Sequence, residues 1–201
     1  MELRLRNIGK IRQADVVLDG ITVIAGENNT GKSTVGKALY SVFSSFYKIQ
    51  EQIDQERREG VLRMLYALDF SASNDFIQQL KLDELVESIL ASARKDLQDI
   101  QTMRTAIFDL LIQNNKDFSS AKKLSETIDK MIEILRISDA EIFKTVLNKI
   151  LSDEFYGQIT NIDLPDEPGV IGLQTNETDT SVSIEIIHNQ IVKISEPLNL
   201  T

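Results

Sequence analysis

Gly26-Glu27-Asn28-Asn29-Thr30-Gly31-Lys32-Ser33, continued by Thr34, fits G-x-x-x-x-G-K-[ST] at every fixed position. The pattern acquires meaning only between a buried strand and a helix. Before it, Ile21-Thr22-Val23-Ile24-Ala25 is a β-branched run that predicts a buried strand. After it, Val35, Leu39, Val42, Phe43 and Phe46 recur at helical spacing and predict a helix over Lys32–Tyr47. In that context Gly26 and Gly31 let the backbone turn tightly and bring its N–H groups against phosphate oxygens. The helix N-terminus adds unsatisfied donors and a partial positive charge. Lys32 then reaches the β- and γ-phosphates, and the Ser33 hydroxyl ligates Mg²⁺.

Working outward, Leu3 and Leu5 alternate with Glu2, Arg4 and Arg6 as in a half-buried strand. Gly9-Lys10 predicts a turn, with Ala14, Val16 and Leu18 in the hairpin partner and a second turn at Asp19-Gly20. Between Val61 and Tyr156 there is neither Gly nor Pro, which permits long helices. Leu82, Leu85, Val86, Ile89 and Leu90 form one apolar stripe, and Ala121, Leu124, Ile128, Met131, Ile132 and Leu135 form another. Ser138 followed by Glu141 is a capping-box pattern opening a further helix through Leu151. Strands return at Val182, Ile184 and Ile186, with His188-Asn189-Gln190 as a hairpin turn before Ile191–Ile194.

The net charge of −9 over 201 residues is unevenly spread. Residues 1–47 carry 6 basic and 4 acidic side chains, residues 48–155 carry 15 and 20, and residues 156–201 carry 1 and 7. These shifts define three zones: N-terminal strands with the phosphate loop and its helix (1–47), a helical insertion (48–155), and returning strands (156–201). With no Cys and one His, disulfides, thiolate sites and multi-histidine metal centres are excluded. The N-terminus has no apolar signal core and no stretch is long and apolar enough for a membrane span, so a cytoplasmic protein without membrane contact is expected. The acidic balance opposes a general nucleic-acid surface.

A GTPase needs an Asp-x-x-Gly switch and, downstream, an Asn-Lys-x-Asp base reader. Asp166-Glu167-Pro168-Gly169 matches the first, but nothing after it matches the second, and Asn115-Lys116-Asp117 is one residue short and precedes it. An ATPase needs an apolar strand ending in a Walker B acid. Val16-Val17-Leu18-Asp19 lies before the phosphate loop, and Met64-Leu65-Tyr66-Ala67-Leu68-Asp69 is built of helix formers. Asp166-Glu167 remains the candidate catalytic pair, although Asp163 and Pro165 prevent the preceding residues from forming a buried central strand.

Leu3-x-Leu5-x-Asn7-x-Gly9-x-Ile11, the strand Ala14–Leu18, and Gly20 through Thr34 together resemble the opening of ABC-type ATPases of the SMC/RecF/OLD branch, AAA-type ATP-binding proteins. The resemblance covers residues 2–47. It implies an α/β phosphate-loop lobe with a flanking antiparallel sheet and a mostly helical insertion. It also implies ATP and Mg²⁺ as cofactors, bound by Gly26, Asn28, Asn29, Thr30, Gly31, Lys32, Ser33 and Thr34, with nucleotides sandwiched between two heads. Gln158, after the insertion, becomes a candidate for the Mg²⁺-contacting glutamine of the Q-loop. Relatives serve in DNA repair and phage defence, which makes a second head, a nuclease or other effector, and DNA the implied partners. No signature motif, buried Walker B strand or switch histidine accompanies the match. The chain is therefore expected to be the front part of a head, with little hydrolysis of its own. Two other readings stay open: an interaction module that binds ATP without turnover and docks a partner through its helices, and a small phosphotransferase.

Overall fold

The computed structural model describes residues 1–68, 76–96, 99–114, 121–174 and 181–195. Asp69 and Asn115-Lys116-Asp117, considered above, lie outside the described residues. The described chain is α/β. It begins with β1 (Glu2–Ile8), β2 (Ile11–Val17) and α1 (Lys32–Phe46). Four helices follow: α2 (Ile49–Ala67), α3 (Phe76–Asp96), α4 (Ile100–Asn114) and α5 (Ala121–Leu135). It ends with α6 (Asp139–Phe155), β3 (Gly169–Gln174), β4 (Ser181–Ile187) and β5 (Gln190–Ser195). Two compact units result, one of Met1–Gln50 with Asp139–Thr201 and one of Glu51–Ser138.

The first unit is built on an antiparallel sheet of order β2-β1-β3-β4-β5. Leu5 stands opposite Ala14 on one side and Ile171 on the other, and Ile171 in turn faces Ile184. Period-two alternation therefore collects Leu3, Leu5, Ile171, Ile184 and Ile186 on one face, where all five are fully buried. Burying each stabilises the fold by about 1.5–3 kcal/mol relative to leaving it exposed. Helices α1 and α6 pack along each other and meet the sheet at β1 and β5 respectively. Phe46 and Phe143 join them, with ring centroids 5.0 Å apart.

The opposite face is polar, with Arg4 on Glu2 at 2.9 Å and Arg6 on Asp15 at 3.0 Å. The β4–β5 turn is His188-Asn189 with φ of 49° and 62°, the positive values that a two-residue hairpin of right-handed twist requires. The Asn189 carboxamide oxygen then accepts from Ile159 N–H at 2.8 Å, Thr160 N–H at 2.9 Å and the Thr160 hydroxyl at 3.0 Å.

The second unit is helical and has its own core. Val61 and Leu65 of α2, Val86 and Ile89 of α3, Met103, Ile107 and Leu111 of α4, and Ile128 and Met131 of α5 interlock there. Both apolar stripes predicted from spacing are buried in it, except that Ala121 at the start of α5 is exposed. Helix α4 is opened by Asp99, whose carboxylate accepts from the Gln101 N–H at 3.0 Å and the Thr102 N–H at 3.3 Å.

Two features depart from the sequence reading. Helix α6, which composition places in the insertion ending near residue 155, belongs to the sheet unit, so the helical unit closes at Ser138. Its face of Phe143, Leu147, Leu151 and Phe155 is buried in that unit. The Ile21–Ala25 run is not a buried strand. It has no assigned strand and no β-partner, with Ile21 94% and Val23 81% exposed. A central strand needs a neighbour on each edge, whereas among the described residues the segment pairs with none and lies outside the sheet of order β2-β1-β3-β4-β5.

Candidate functional site

Residues 26–31 lie between segment 21–25 and α1. Gly31 takes the position before α1 with φ 90° and ψ 9°, a left-handed conformation that a side chain resists. A Cβ there would also sit 2.7 Å from Ile11 Cγ1. Glycine is thus required twice over, by backbone angle and by the hairpin pressed against it. The α1 N-terminus has no side-chain cap and no acid in its first turn. Gly31 O accepts from Thr34 N–H at 3.0 Å and Val35 N–H at 3.4 Å. The N–H groups of Lys32 and Ser33 have no acceptor among the described residues.

The Lys32 side chain folds back over the loop. Its ammonium donates to Gly26 O at 2.8 Å and also to Glu27 O. The Thr30 hydroxyl donates to the same Glu27 carbonyl at 2.9 Å, which ties the loop into a ring around its own centre. Asn29 adopts φ 69°, and its carboxamide oxygen accepts from the Lys10 ammonium. Asparagine tolerates this left-handed angle better than other side chains do.

The β1–β2 turn forms the wall of the site. Gly9 N–H donates to Ile159 O at 2.8 Å, and a Cβ on Gly9 would lie 3.2 Å from both Cγ2 and Oγ1 of Thr34. That close approach seats the hairpin tip on the first turn of α1. Between them opens a cleft of about 370 Å³ lined by Lys10, Asn28, Asn29, Lys32, Ser33 and Lys37, among others. The Lys37 ammonium donates to Glu154 O and lies 4.5 Å from the Tyr156 ring centroid.

No family model matches the chain, and no curated protein or solved structure is a significant match. The groups in the cleft are therefore what a functional reading rests on.

Of the residues proposed from sequence to bind a nucleotide, Asn28, Asn29, Gly31, Lys32, Ser33 and Thr34 all line this cleft. Thr34 is buried beneath Gly9, whereas Ser33 is exposed. Gly26 contributes its carbonyl to Lys32, and Thr30 lines a second cleft of about 440 Å³ beside β2. Asp166, Glu167 and Gln158 are not among the residues lining either cleft. Asp166 lies 3.4 Å from His188 with its side chain 93% exposed. Glu167 is exposed, and its carbonyl oxygen accepts from Asn7 Nδ2 at 2.7 Å. Gln158 donates to Thr160 O at 2.8 Å. Among the described residues no group of three His, Cys, Asp or Glu is placed to hold a metal, and no helix is long and apolar enough to cross a membrane.

Sequence reasoning missed Lys10 and Lys37. Gly9-Lys10 carried a turn signal and nothing more, because only the folding of that turn onto α1 brings Lys10 to the loop. Lys37 falls one turn into α1 and looks like any solvated helical lysine.

Proposed function

We infer that this chain binds ATP·Mg²⁺ through Gly26–Thr34, as the N-terminal part of an ATPase head of the SMC/RecF/OLD type. The single observation carrying the reading is the Lys32 ammonium curled onto the carbonyls of Gly26 and Glu27 at the uncapped start of α1. Charged oxygens are stronger partners for an ammonium than neutral carbonyls. A phosphate chain entering the loop would take over Lys32, the unpaired N–H groups of Lys32 and Ser33, and the positive end of the helix. The exposed Ser33 hydroxyl fits as one Mg²⁺ ligand. The other ligands would be phosphate oxygens and water, in keeping with the oxygen donors and retained hydration that this cation favours.

Among the described residues no carboxylate lines the cleft to orient an attacking water. Turnover by this chain alone is accordingly expected to be very weak, with the missing acid supplied by a completing polypeptide or a second head. The unpaired apolar run Ile21–Ala25 would offer such an element an edge to pair with. Service in DNA repair or phage defence, with DNA or a nuclease as partner, follows from the resemblance alone.

The test is titration with a fluorescent ATP analogue in the presence of Mg²⁺. Saturable binding is expected, weakened about tenfold or more by Lys32→Ala. Absence of binding, or equal binding by the variant, would overturn the reading. The separate core of the helical unit favours a second possibility, a nucleotide-gated module that docks a partner through residues 51–138. Adding candidate partners separates the two: the ATPase reading requires phosphate release to rise, and the module reading requires complex formation to depend on ATP without turnover.

A further inference from the structure

Three cations line the cleft beside the loop, Lys10, Lys32 and Lys37, and no acid lines it with them. This concentration stands out in a chain of net charge −9. Each of the three is held by a neutral acceptor. Lys32 bonds the Gly26 and Glu27 carbonyls, Lys37 bonds the Glu154 carbonyl and faces the Tyr156 ring, and Lys10 bonds the Asn29 carboxamide. None of the three pairs with a carboxylate among the described residues. Lys37 is held by groups of α6 and the residue after it, whereas Lys10 is held by the loop itself.

Resting on the reading of Gly26–Thr34 as an ATP phosphate loop, we propose that Lys10 is a second phosphate-binding lysine that recognises the γ-phosphate. In the nucleotide-free loop Asn29 parks its ammonium. When a triphosphate binds, the ammonium leaves the Asn29 oxygen for a γ-phosphate oxygen, a stronger acceptor because it carries charge. The placement is stiff. Gly9 seats the turn on Thr34, Gly9 N–H is pinned to Ile159 O, and Ile11 abuts Gly31, so the Lys10 backbone cannot drift from the loop. The choice of phosphate follows from Ser33. Its hydroxyl would help hold the Mg²⁺ that accompanies the terminal phosphates, and it lines the same cleft as Lys10. Asn29 completes the device: glycine would satisfy φ 69° equally well, but only a side chain there can hold the lysine ready.

The competing explanation is a structural staple, in which Lys10–Asn29 merely braces the loop. Affinities for ATP·Mg²⁺ and ADP·Mg²⁺ measured on the full chain separate the two. Lys10→Met is expected to weaken ATP about tenfold or more while shifting ADP by less than about threefold, and Lys10→Arg to restore most of the loss. Asn29→Gly frees the lysine and is expected to tighten ATP binding. In that background Lys10→Met must still cost about tenfold for ATP. Equal losses for ATP and ADP, or no effect of Lys10→Met once Asn29 is glycine, would overturn the assignment and leave a staple. Lys32→Ala is the control. If it abolishes binding while Lys10→Met leaves the ATP-to-ADP preference intact, only the Lys10 assignment falls. If the unaltered chain binds neither nucleotide, the phosphate-loop reading falls and takes Lys10 with it.

Discussion

The Asn7 side-chain nitrogen lies 2.7 Å from the carbonyl oxygen of Glu167 and 3.1 Å from that of Leu164, so β1 grips the turn before β3 by its backbone. Asn7 is 4% exposed and has φ 52°, which alanine disfavours. Asn7→Ala removes both bonds and adds backbone strain. It should destabilise the sheet unit by about 2–4 kcal/mol in chemical denaturation. Glu167→Gln touches neither bond and leaves the cleft unaltered. ATP·Mg²⁺ affinity should stay within about twofold, as for other exposed substitutions. Vigorous hydrolysis lost on Glu167→Gln would instead make that carboxylate catalytic.

Gly31 and Gly36 should respond to alanine in opposite directions. At Gly31 the new Cβ meets Ile11 at 2.7 Å and the φ of 90° is strained, so Gly31→Ala should lose nucleotide binding about tenfold or more and lower stability. At Gly36, inside α1, nothing beyond the adjacent residues and the helix's own backbone lies within 4 Å of the added Cβ. Gly36→Ala should therefore stabilise the protein by about 0.5–1 kcal/mol, through helix propensity and reduced unfolded-state entropy. Urea denaturation of both variants checks the contrast.

The exposure of segment 21–25 has a simple consequence. Ile21→Ser and Val23→Ser, made in this chain, should each change stability by less than about 0.5 kcal/mol. Buried strand positions would lose several times that amount on a comparable loss of apolar volume. A thermal melt that falls by many degrees on either change would place the segment in a core.

Asp99 makes the helical unit sensitive to acid. Its carboxyl is held below the usual aspartate range, first by the Thr102 hydroxyl at 2.5 Å and then by the Thr102 and Gln101 backbone N–H groups. A depressed folded pKa means that the contribution to stability is fully present above the ordinary aspartate value near 3.9 and fades as pH falls through the lower folded value. Asp99→Ala should lower the melting temperature at pH 7. The difference from the unaltered chain should shrink below about pH 4 as the native carboxylate takes up its proton.

Much of the local structure was legible because it rests on local signals. Alternation in Glu2–Val17 and Val182–Ile194, the capping pair Ser138 and Glu141, and the stripe from Leu124 to Leu135 each record one element's burial or end, and each corresponds to an element of the fold. The start of α1 at Lys32 was legible for the same reason, since glycine spacing and the helical periodicity after it are local signals. The unit boundary was not. Without Gly or Pro between Val61 and Tyr156, nothing in composition separates α6 from the helices before it, and only its packing on α1 assigns it to the sheet unit.

By itself the sequence determined which residues form the loop, the helix behind it and the hairpin before it, because period, capping and turn chemistry act over a few neighbouring residues. Tertiary structure alone decided that Ile21–Ala25 has no strand partner among the described residues, because β-pairing depends on partners distant in the chain. It also decided that Lys10 reaches Asn29 and that Asp166 and Glu167 lie outside the cleft. These are relations between segments up to 160 residues apart, as Asn7 and Glu167 are, and they exist only once the chain has closed on itself.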